Sequence, residues 1–84
     1  MTIEEALDRI SPDCSYSTWY KVAAALYSEL GDDGFELFDK WSRRSHTKYP
    51  GRHGCLRQWD FSKRLDQITI RSLYWMANQP DDEQ

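Results

Sequence analysis

Nine lysines and arginines fall between Lys40 and Arg71, and only Asp60 and Asp66 oppose them there. Lys and Arg side chains displace the counterions of a nucleic-acid backbone, and aromatic side chains set among them stack on unpaired bases. On that chemistry Arg43, Arg44, Lys48, Arg52, Arg57, Lys63 and Arg64 are the candidate phosphate contacts, and Tyr49 is the candidate stacking residue. The first stretch, Met1 to Asp39, carries nine acids against Arg9 and Lys21, and Asp81, Asp82 and Glu83 close the chain. The net charge of −3 conceals this segregation of sign, which points toward a polyanion surface. The same charges also have a structural reading as a solvated face, and Arg43 and Arg44 near a helix C-terminus complement its dipole.

Other chemistries find little support. No glycine-rich phosphate loop, G-x-S-x-G, H-E-x-x-H or C-x-x-C motif occurs, so no catalytic residue is assigned and no cofactor is implied. Cys14, His46, His53 and Cys55 do not form the two closely spaced ligand pairs of a structural zinc site, so no metal is assigned; the cysteines read as core or near-core residues and the histidines as solvated loop residues. Asp32-Asp33 reads as a helix start and Asp81-Asp82 as part of a tail. Trp19, Trp41 and Trp59 lie on the apolar stripes of their own helices and are assigned to the core, whereas Trp75 lies beside its helix's inward face. Tyr16, Tyr20 and Tyr27 share one stripe and read as rim packing with the hydroxyl in water.

An 84-residue chain, 39% hydrophobic and 30% charged, supports one small core, which excludes a second domain or a deep cleft. No apolar run is long enough to span a bilayer, and the start lacks the basic and apolar regions of a signal peptide, so a reduced, cytoplasmic location is expected. Apolar residues recur at three and four, which predicts an all-α fold: a compact orthogonal bundle of about five short helices over 1–79, followed by an acidic tail at 80–84. Thr2 and Glu5 form a capping box for the first helix, and Ser15 or Ser17 caps the second, which Gly31 ends. Asp32 or Asp33 caps a third that runs to about Ser45. The segment 46–54, with Pro50-Gly51 and Gly54, reads as a basic loop. A fourth helix follows with Cys55, Leu56 and Trp59 inward; a fifth starts at Thr69 with an Ile68–Leu73 staple and stops at Pro80.

The residues Ser11-Pro12-Asp13-Cys14-Ser15-Tyr16 with Trp19, Val22, Ala25 and Leu26, then Trp41-Ser42, Lys48-Tyr49, Cys55, Trp59, Phe61, Ile68-Thr69-Ile70, Leu73 and Ala77 carry a likeness. From about Ile3 to Gln79 the chain resembles the primase C-terminal 2 domain. Asp66-Gln67 stands where such domains commonly have Gly before the Ile-Thr pair, Arg71 where a Gly often follows it, and the stretch between Trp59 and Phe61 is short against the usual pattern. The resemblance implies an all-helical accessory module of phage or plasmid replication proteins, whose nucleotidyl-transfer and ATPase motifs lie in other domains. The expected function is therefore non-catalytic: binding of a single-stranded DNA template, with primase and helicase domains as partners in the same or another chain. Neutralising about five phosphates would give a salt slope of about −3.5, a loss of about a hundredfold between 50 and 200 mM salt. The competing expectation is a docking module for a helicase or polymerase domain, contacting it through Tyr74, Trp75 and Met76. A third is a free-standing phage-type protein that interferes with replication. The nucleic-acid reading requires the cationic side chains of the second half to converge on one surface.

Overall fold

The computed structural model describes residues 1–79, and the acidic tail and the stop expected at Pro80 lie outside them. Helix α1 spans Ile3–Arg9 and begins at the capping box: Thr2 Oγ1 accepts from the Glu5 N–H (3.1 Å), and Glu5 Oε1 accepts from the Thr2 N–H (2.8 Å). Helix α2, Tyr16–Leu30, begins with the Ser15 hydroxyl accepting from the Thr18 N–H at 3.3 Å. It ends at Gly31, whose φ of 63° is costly for any residue with a Cβ.

The third helix starts differently from the expectation. Gly31–Gly34 forms a 3-10 turn that runs straight into α3, Phe35–Ser42, and no side chain caps that helix. The turn makes a cap unnecessary, because the Phe35 N–H already donates to the Asp32 carbonyl. The Asp32 carboxylate is left to accept from Trp59 Nε1 (3.1 Å) and to pair with Lys63 (2.7 Å). Helix α3 stops three residues short of Ser45; Arg44 and Ser45 bond back to the carbonyls of Trp41 and Ser42 as turns.

The basic loop is shorter than the glycines suggest, because α4 spans Gly51–Ser62 and takes in His53 and Gly54. Gly51 turns the chain at φ 88°, and a Cβ on Gly54 would lie 2.6 Å from Cβ of Pro50. Gly51 therefore serves the turn into the helix, and Gly54 the packing of Pro50 against the helix's first turn, rather than an open loop. Helix α5 spans Ile70–Ala77 with Thr69 extended at the N-cap position, although the threonine side chain makes no cap bond.

The described residues are all-α. Helix α2 packs against α3, α4, α5 and the 3-10 turn, and α1 packs against α5. Ala23, Ala24 and Ala25 on α2 let its neighbours approach closely, and larger side chains fill the space beyond them. Phe38 is the hub, with ring centroids 5.3 Å from Trp19, 6.3 Å from Trp41 and 5.7 Å from Trp59. Trp41 and Trp59 are buried; Trp19 is half-buried and donates its indole N–H to Ser42 Oγ at 2.9 Å. Trp41 Nε1 donates to the carbonyls of Leu7 (3.1 Å) and Ile10 (2.9 Å), tying the end of α1 to α3. Leu56, expected inward, is exposed; Cys55, Trp59 and Ser62 form the inward face of α4.

Candidate nucleic-acid interface

The cationic half of the chain folds against the acidic half, and four of its nine charges meet carboxylates. Asp39 on α3 is 1% exposed. Its carboxylate accepts from the Tyr49 hydroxyl (2.8 Å) and pairs with Arg43 (2.7 Å) and Arg52 (3.3 Å). Two elements bring these partners in: Arg43 lies one turn along α3, while the loop and first turn of α4 carry Tyr49 and Arg52 over it. Arg52 also holds Glu36, Arg44 pairs with Asp8 (2.9 Å), and Lys63 pairs with Asp32 (2.7 Å) and Asp60 (3.5 Å). These are largely surface contacts, each of small energetic weight alone. Together they occupy Arg43, Arg44, Arg52 and Lys63.

Burial by itself would raise the pKa of Asp39, but the Tyr49 hydrogen bond and the charges of Arg43 and Arg52 outweigh it and hold the carboxyl below the usual range. Glu36 is held low by its hydrogen bond from Arg52, and Asp32 by those from Lys63 and Trp59. A carboxyl whose folded pKa lies below its unfolded value binds fewer protons folded than unfolded between the two values. Its stabilisation is thus complete above the ordinary carboxylate range and disappears as pH falls through the folded pKa. The thermal midpoint should accordingly drop steeply below about pH 4. Asp39→Asn should lower the midpoint at pH 7 and make the acid fall shallower; an unchanged acid slope by circular dichroism would show that Asp39 does not drive it.

Of the remaining candidates, Tyr49 packs its half-buried ring against the core with its hydroxyl on Asp39, so its ring is not presented as a free stacking face. Lys48 donates to the carbonyls of Asp13 (3.1 Å) and Cys14 (2.9 Å), which orient the ammonium without cancelling its charge. Arg57 and Arg64 are exposed and have no ion pair or side-chain hydrogen bond among the described residues. The eight candidates thus divide between an Asp39 cluster, separate pairs at Asp8 and Asp32, the loop lysine, and the outer side of α4.

That outer side carries a residue not among the candidates. Phe61 is 52% exposed and lies one turn after Arg57 on α4, and Arg64, also unpaired, stands in the turn that follows the helix, its N–H bonded to the Phe61 carbonyl at 3.2 Å. The signal was in the sequence: on a wheel with Cys55, Trp59 and Ser62 inward, Phe61 falls among polar positions. Tyr16 is likewise exposed, and its hydroxyl is not left to water but donates to Gln58 Oε1 on α4 at 2.8 Å.

Both cysteines are free thiols. Burial pushes Cys55 up to about 11 and raises Cys14 as well, so both stay protonated at neutral pH and neither is poised as a nucleophile. His46 and His53 are exposed, and His53 lies on α4 rather than in a loop. Among the described residues no three His, Cys, Asp or Glu side chains gather to hold a metal ion, and no helix is long and apolar enough to cross a membrane. Compared with known protein families, residues 3–77 match the one described as Primase C terminal 2 (PriCT-2). Among curated proteins and among solved structures, nothing matches the chain.

Proposed function

The chain belongs to the Primase C terminal 2 family, an accessory and non-catalytic region of primase-type proteins, and on that premise we propose that it holds single-stranded DNA template through the outer side of α4. The observation that carries this reading is the stripe Arg57–Phe61–Arg64, two unpaired cations flanking an exposed aromatic ring. Cations track a phosphate backbone and a ring stacks on bases of any identity, the combination suited to template that must be read regardless of sequence. Lys48 adds a third charge that carbonyls orient but do not neutralise. Arg43, Arg44, Arg52 and Lys63 contribute less, since each must leave a carboxylate to reach a phosphate. The setting proposed is a cytoplasmic replication protein with primase and helicase domains as neighbours.

Three phosphates neutralised on a single strand give a log–log salt slope of about −2, or roughly a twentyfold loss of affinity between 50 and 200 mM salt. The measurement is fluorescence anisotropy on a labelled thymidine oligonucleotide across that range. A slope near −3.5 would mean that the paired cations also engage, and a flat series would remove the proposal.

A second reading has its own support. Trp75 on α5 is 64% exposed, while its neighbours Tyr74 and Met76 pack partly against the core. An exposed indole of this kind suits docking of a helicase or polymerase domain. Trp75→Ala separates the two: it should leave oligonucleotide affinity unchanged under the first reading and abolish retention of the partner domain under the second.

A further inference from the structure

We propose that the pocket between the start of α2 and the loop 43–50 receives one unpaired base of the strand whose backbone follows Arg57 and Arg64. The proposal rests on the template reading and adds a subsite to it. The pocket has a volume of about 160 Å³. Its walls are the aromatic rings of Tyr16 and Trp19 and the rigid rings of Pro12 and Pro50, with Lys48 also lining it. Tyr16 is 60% exposed, its ring centroid 6.0 Å from that of Trp19 and 5.2 Å from that of Tyr20.

The Trp19 indole and the Ser42 and Ser45 side-chain oxygens of the lining are already engaged within the protein. Trp19 Nε1 donates to Ser42 Oγ (2.9 Å); Ser45 Oγ donates to Asp13 Oδ1 and accepts from the Lys48 N–H (2.9 Å). What the pocket offers a ligand is therefore flat apolar and π surface plus one uncancelled positive charge. A ligand to match is planar, π-faced and anionic, which describes a nucleotide. The Lys48 ammonium keeps one N–H beyond the two it gives to carbonyls, and a single rotatable donor does not read a base edge, so the pocket should take any base with little preference.

Its position supplies the link to the strand. The Tyr16 hydroxyl donates to Gln58 at 2.8 Å, and Gln58 directly follows Arg57 and precedes Phe61 by one turn. Tyr16 thus joins the pocket rim to the α4 residue next to Arg57, so one strand can place a base between the rings and its next phosphates on the arginines.

The experiment follows the indole N–H signals in a nitrogen-15 correlation spectrum during titration with a ten-thymidine oligonucleotide. Trp19, which lines the pocket, should shift, while Trp41, buried and bonded to Leu7 and Ile10, should not. Tyr16→Ala should weaken binding about tenfold, the size of one base–aromatic stack, with the salt slope unchanged. Tyr16→Phe, which keeps the ring and loses the Gln58 bond, should bind within about twofold of the unaltered protein. If the oligonucleotide binds with the expected salt slope while Trp19 stays still and Tyr16→Ala has no effect, the pocket proposal is overturned and the α4 reading stands. If no oligonucleotide binds at 50 mM salt, both are overturned. If a proline-rich peptide moves Trp19 and the oligonucleotide does not, the pocket is a peptide subsite and the nucleotide proposal is overturned.

Discussion

Truncating Trp59 to alanine is expected to cost about 4 kcal/mol, about a third or more of the domain's whole stability. The ring is 1% exposed and lies 5.7 Å from both Phe35 and Phe38 and 5.9 Å from Tyr27, so its loss opens a cavity between the 3-10 turn, α2, α3 and α4. The indole also donates to Asp32, which would lose that bond while keeping Lys63. A domain of 84 residues has a total stability of about 4 to 13 kcal/mol, so one such cavity consumes a large share of it. Urea unfolding monitored by circular dichroism reads the loss directly. Trp75→Ala, which removes the same side chain from an exposed position, should change stability by less than about 0.5 kcal/mol. Equal losses from the two variants would contradict the placement of Trp59 at the centre of the core.

Removing the two unpaired arginines on either side of Phe61 is the corresponding functional experiment. Each phosphate neutralised on a single strand contributes about 0.9 logarithmic units of affinity at 50 mM salt relative to 1 M, so Arg57→Ala with Arg64→Ala should weaken oligonucleotide binding roughly sixtyfold at 50 mM. The salt slope should shrink at the same time from about −2 toward about −0.7. Arg44→Gln supplies the contrast, because Arg44 is already matched with Asp8, and it should alter affinity by less than about threefold. If Arg44→Gln costs as much as either free arginine, the ion pairs open when the strand binds and the distinction between paired and unpaired cations has no functional meaning.

The helices were readable because their signals are local. The Thr2–Glu5 box, the Ser15 cap and the Gly31 stop each depend on a few adjacent residues, and the i, i+3, i+4, i+7 recurrence of Trp19, Val22, Ala23 and Leu26 needs only one helix to be interpreted. The entry into α4 was not readable in the same way. Pro50-Gly51 and Gly54 have turn composition, and only the closeness of the Pro50 ring to Gly54 reveals that small residues are needed inside a helix there. The charge pattern shows the limit more sharply. Segregation along the chain separates nine acids from nine bases, yet folding brings Asp39 to Arg43 and Arg52, Asp8 to Arg44 and Asp32 to Lys63. Sequence separation of opposite charges is compatible either with two opposed faces or with mutual pairing, and the packing of α3 on α4 decides between them. Phe61 was overlooked for a different reason. A search for stacking residues among neighbouring cations favours Tyr49, which directly follows a lysine, over a phenylalanine whose flanking arginines stand a turn away on either side.

The bonds from Trp41 to the carbonyls of Leu7 and Ile10 bear on how the molecule opens. Seven residues are too few to remain helical in isolation, so α1 persists only while docked, packed on α5 and held at its final turn by this indole. Deuterium should therefore enter the amides of α1 together with those of α3, in one concerted event rather than by independent fraying at the chain's beginning. Exchange at the indole nitrogen of Trp41 would keep the same clock, making a single tryptophan proton a reporter of whether the amino-terminal segment is docked.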